Sequence, residues 1–172
     1  MSYPDIATLF SPYIHDAALL APFASATVTD MQVNRAERFL RMTLRLDHFV
    51  PYEAFSPVEE ALAQGLGLRT VELLPLYPED SLREACFPTI VSFLRRRCVA
   101  VNGTFNDAVY TREGEGFAVT LCHGGMDMVR ATHTDTMMGQ LIGELFGRRV
   151  PLTFRGEAGV NEKDEQYRKL ME

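Results

Sequence analysis

Between Phe39 and Leu46 apolar and polar residues alternate without a break. Leu40, Met42, Leu44 and Leu46 fall on one side; Phe39, Arg41, Thr43 and Arg45 fall on the other. A period of two predicts a strand with one packed face and one open face. Ala26–Val33 precedes it as the first arm of a hairpin. Ser56–Gln64 then reads as a helix, opened by Ser56 at the cap, Pro57 in the first turn and Glu59 closing a capping box. Gly65 and Gly67 end this helix, and Leu68–Leu74 returns as a strand.

The same order recurs downstream. Ser81–Arg97 carries an apolar stripe of Leu82, Cys86, Ile90, Phe93 and Leu94, with Ser81 and Glu84 spaced as a capping box. Pro88 inside the stripe predicts a kink or break near Cys86. A hairpin follows, Ala108–Thr111 and Phe117–His123 around the Gly114-Glu115-Gly116 turn. A helix from about Thr134 to Phe146 and a strand over Val150–Phe154 complete the copy. The interval from the second hairpin strand to the closing strand is nearly equal in both copies. Ahead of the first copy, Ile6, Leu9, Phe10, Tyr13 and Ile14 recur at helical spacing, and Pro12 should kink or split that segment.

The pattern therefore predicts an α+β protein of two tandem small αββαβ units, each a three-stranded sheet covered by helices. We place the first unit at residues 1–78 and the second at 79–157. Residues 158–172, where charges dominate, read as a charged linker or cut end. Both copies are expected to use their apolar side chains on cores, leaving no pocket for catalysis.

Composition narrows the function. The formal net charge of −6 disfavours a non-specific nucleic-acid binder. No apolar run approaches the roughly 18–20 residues of a membrane span, and no basic-then-apolar leader opens the chain. Three cysteines without a dense framework fit a reduced, cytoplasmic compartment. Of the 17 basic residues only Lys163 and Lys169 are lysines. Arginine suits forked contacts to carboxylates and phosphates, although a GC-rich genome has the same effect on composition.

Candidate chemistry is sparse. Cys122-His123 before Gly124-Gly125 is the nearest approach to a nucleophile, but neither a partner acid nor a nucleophile elbow can be identified. The four histidines and three cysteines show no paired metal-ligand spacing. Gly139 to Gly143 is a GxxxG better suited to close helix packing than to a phosphate cradle. A KH-type RNA domain needs a GXXG loop between two helices, whereas Gly156-Glu157-Ala158-Gly159 follows the final strand. Two basic features remain as a candidate interaction surface: Phe39 flanked by Arg41 and Arg45 on the open strand face, and Arg95, Arg96 and Arg97 at a helix end.

Asn34–Leu46 (NRAERFLRMTLRL), with the Phe55–Leu66 helix and the strand Leu68–Leu73, resembles the extreme N-terminal region of PolC-type DNA polymerase III alpha subunits. Phe39 stands near the family's usual tryptophan. The Cys86-Phe87-Pro88 step looks like the aromatic-proline step of the family's second N-terminal module, and Ala108–Phe154 is similar to the remainder of it. The likeness covers about residues 1–157. Similar KH-like small units occur at the N-terminus of the bacterial replication initiator and the C-terminus of the clamp-loader tau subunit, where they dock other proteins. The resemblance implies a non-catalytic adaptor region of a replicative polymerase that contacts tau or another replisome protein, with DNA as a further possible partner. It implies no cofactor in this region. The parent chain would carry polymerase and 3′–5′ exonuclease activity with a divalent metal such as magnesium. The alternatives are a KH-like single-stranded nucleic-acid module and a small enzyme using Cys122 and His123.

Overall fold

A computed structural model describes residues 6–98 and 103–156. The chain is α+β, with two three-stranded mixed sheets of identical topology. It divides into two compact units: one reaches Leu82 and includes Glu144–Gly147, the other holds Arg83–Gly143 and resumes at Arg148.

In the first unit the apolar N-terminal segment forms two short helices, α1 (Ile6–Phe10) and α2 (Ala17–Leu20), separated at a turn containing Pro12. The Asp16 carboxylate accepts the Ala18 N–H at 3.0 Å and so caps α2. Ile6, Phe10, Ile14 and Phe23 are buried, and Phe23 meets Phe55 edge-on at 5.0 Å. Strand β1 (Thr27–Asn34) pairs antiparallel with β2 (Phe39–Arg45), which pairs parallel with β3 (Thr70–Leu76). The alternation of β2 is realised in full: Leu40, Met42 and Leu44, with Leu46 beyond the strand, are buried.

Helix α3 (Phe55–Leu66) makes the crossover from β2 to β3, burying Phe55, Val58 and Leu62. Its start differs from the expected capping box. A 3₁₀ turn, Tyr52–Ala54, leads directly into Phe55, which places Ala54 at the cap and Ser56 inside the helix. Glu59 therefore does not close a box; its carboxylate accepts the backbone N–H of Leu73 at 2.8 Å. Gly67 ends the helix in the left-handed conformation (φ 66°). Gly65 lies inside the helix, and a Cβ there would sit 2.9 Å from the Tyr13 ring.

No α-helix starts at Ser81, which falls in the first unit. Ser81 closes a 3₁₀ turn and its hydroxyl donates to the Pro78 carbonyl. Helix α4 (Phe87–Arg97) starts later, with Pro88 in its first turn. There the missing N–H costs nothing, and of the expected kink or break near Cys86 the structure has the break: a 3₁₀ turn, Glu84–Cys86, ends where α4 begins. Strand β4 (Val109–Glu113) pairs antiparallel with β5 (Gly116–Leu121), and β5 pairs parallel with β6 (Leu152–Gly156). Phe87 stacks on Tyr110 at 4.8 Å and meets Phe117 edge-on at 5.0 Å, fixing α4 to the sheet.

The return from β5 to β6 holds two helices where the sequence predicts one: α5 (Met126–Thr132) and α6 (Thr134–Phe146), joined at His133 in a left-handed turn (φ 53°). The second unit is thus αββααβ. The stretch 158–172, read as a charged linker or cut end, lies outside the described residues.

Candidate functional site

The open face of β2 is internally paired. Arg41 stands opposite Glu72 in the parallel register and binds it at 3.2 Å. Its guanidinium also lies 5.4 Å over the Phe39 ring. Glu72 and Phe39 thus occupy the guanidinium that the sequence suggested for an outside carboxylate or phosphate. Arg45, at the far end of the strand, is exposed.

The other basic group belongs to the second unit. Arg95 Nη2 donates to the Asn106 side-chain oxygen at 3.4 Å, Arg96 lies 5.4 Å over Phe93, and Arg96 and Arg97 are exposed. All three end α4, where positive charge is favoured by the helix dipole.

The helix-covered face of the first sheet holds a feature that sequence reasoning did not identify. Leu40 and Met42 of β2 continue across the register to Val33 and Met31 of β1. On one flank, α3 and the residue after its cap contribute Leu62, Leu66 and Leu68; on the other, Leu9, Phe10 and Tyr13 come from α1 and the turn after it. Together they line an open groove of about 370 Å³ with no charged residue in its wall. Four of these side chains keep over a third of their surface in water: Val33 58%, Tyr13 39%, Leu66 38% and Met31 37%. Scattered exposed apolar residues are ordinary, but a contiguous group marks an interaction surface. Gly65 shapes this groove, because any larger residue there would push Tyr13 aside.

The Cys122-His123 pair does acquire an acid. His123 Nε2 lies 2.8 Å from an Asp107 carboxylate oxygen, and the Cys122 thiol donates to the Asp107 backbone carbonyl at 2.9 Å. Asp107 itself holds a left-handed backbone (φ 58°). The three residues tie the loop before β4 to the end of β5, with the thiol proton directed at a carbonyl oxygen. Burial pushes the Cys86 thiol above its ordinary range. Among the described residues no group of three histidine, cysteine or acidic side chains could hold a metal ion. No helix among them is long and apolar enough to cross a membrane.

No protein-family model matches the sequence, and no curated protein or solved structure gives a significant match.

Proposed function

We propose that this chain is a non-catalytic protein-docking region, and that the apolar groove of its first unit receives the apolar face of a partner's amphipathic helix. The observation that carries this reading is the clustering of Tyr13, Met31, Val33 and Leu66 in one uncharged groove while each stays substantially exposed. Helix-in-groove recognition uses anchors at helical spacing against an apolar trough. Each side chain fully removed from water adds roughly 1.5–3 kcal/mol, so micromolar binding against the cost of association requires several partner anchors together with the exposed groove side chains that they cover.

The sequence resemblance to the N-terminal region of PolC-type polymerases supports reading this docking as part of DNA replication, with clamp-loader tau or another replisome protein as the proposed partner. Polymerase and exonuclease chemistry, with its divalent metal, would then belong to other parts of the parent protein. Retention of purified replisome proteins on the immobilised chain tests this; a screen that retains none at micromolar concentration counts against it.

The KH-like nucleic-acid reading has less support. The second unit has consecutive helices, but their junction is Ala131-Thr132-His133-Thr134, with no glycine to bring backbone close to a phosphate. Salt-sensitive anisotropy of labelled single strands would restore it.

A further inference from the structure

At the turn end of the second sheet lies a polar pocket of about 450 Å³, lined by Arg112, Gly114, Glu115, Arg148, Arg149 and Pro151. Backbone contacts fix its two sides together. Phe117 N–H donates to the Pro151 carbonyl at 3.0 Å, and Gly116 lies so close that a Cβ would sit 2.0 Å from that oxygen. The Arg112 guanidinium rests 5.6 Å over the Phe117 ring, which orients it.

The charges in this pocket are unbalanced. Among the described residues Arg112, Arg148 and Arg149 form no ion pair. The neighbouring acid, Glu113, is engaged by Arg155 at 2.8 Å. Glu115 is the sole carboxylate in the lining, so three guanidinium groups face one negative charge. Guanidinium forks match the oxygens of a phosphoryl group better than a point charge does. At roughly 30 Å³ per water the space holds about fifteen waters, room for more than one phosphoryl group. No aromatic ring lines it, so it offers nothing on which a base could stack.

We infer that this pocket is a binding site for a phosphate-class polyanion, recognised through adjacent phosphoryl groups by Arg112, Arg148 and Arg149. The inference concerns the second unit alone and is independent of the docking groove.

The test is an amide-resolved NMR titration of the full chain with inorganic pyrophosphate at constant ionic strength. Saturable shifts are expected at Gly114, Glu115 and Gly116, with a Kd of about 1 mM or tighter. Arg112→Ala and Arg149→Ala should each weaken binding about tenfold. Glu115→Gln, which keeps every arginine, should tighten it about twofold by removing a like charge. Both arginines are exposed, and the spectrum itself reports whether each variant stays folded. Linear, non-saturating shifts to tens of millimolar, or saturable shifts unchanged in all three variants, would overturn the inference. An added oligothymidylate that displaces pyrophosphate identifies a nucleic-acid backbone as the source of the phosphates; failure to displace identifies a free diphosphate.

Discussion

Glu59 on α3 accepts the backbone N–H of Leu73 on β3 at 2.8 Å, so a buried carboxylate stands where a further strand would otherwise pair. Strand β3 lies at the edge of its sheet, and an uncovered edge is a template for unwanted pairing. Glu59→Ala would leave that N–H buried without its partner and should destabilise the first unit by about 1–3 kcal/mol. Glu59→Gln, whose amide oxygen still accepts, should lose less. Urea denaturation of the two variants measures the difference; equal stability of Glu59→Ala and the parent would contradict this role.

The seam under the turn of the second sheet makes a sharper contrast. Gly116→Ala forces a methyl group to within 2.0 Å of the Pro151 carbonyl oxygen, an atom that cannot rotate away. Loss of about 3 kcal/mol is expected, at the upper end of overpacking effects. Gly114→Ala meets no atom within 4 Å, and only its left-handed backbone (φ 59°) opposes it, at about 1–2 kcal/mol. Denaturation followed at second-unit amides should rank the two variants in that order.

The repeat was legible because it is written in local pattern. Strand β2 alternates over its whole length, Pro12 splits the first helical stretch, and both sheets close with the same parallel return. What escaped depends on contacts distant in sequence. Glu59 reads as a capping residue from its spacing to Ser56, yet its partner is Leu73, fourteen residues away. Helix α5 is hidden because its caps are Gly125 and His133, the latter a left-handed residue in place of the glycine that usually announces a helix end. Asp107 could not be named as the partner of His123, since sixteen residues and a hairpin separate them. The groove escaped for the same reason: Tyr13, Val33 and Leu66 are unremarkable individually and meet only in the folded unit.

Tyr110 offers a probe of packing in the second unit. Burial pushes its phenol from the ordinary value of 10 to about 12. The unfolded chain loses this proton first, so between about pH 10 and 12 the unfolded state binds fewer protons than the native one and stability falls as pH rises. Tyr110→Phe should flatten that part of the stability profile. Ultraviolet titration of the native chain should show one phenol fewer ionising near pH 10 than the same titration in denaturant.

The thiols should separate by burial. Cys86 is fully buried and held protonated, so it should resist an aromatic disulfide reagent at pH 8 until the second unit unfolds. Reaction of Cys86 at the rate of a free thiol would show that α4 is not docked as described.

Binding of purified clamp-loader tau to the full chain, compared with its Val33→Asp variant by titration calorimetry, probes the docking groove most directly. Val33 is 58% exposed in the free protein, so the substitution should cost little stability while placing a charge in the groove. Micromolar binding by the parent chain and at least a tenfold loss in Val33→Asp are predicted. Equal affinity for the two proteins, or no heat of binding to either, would contradict docking at this groove.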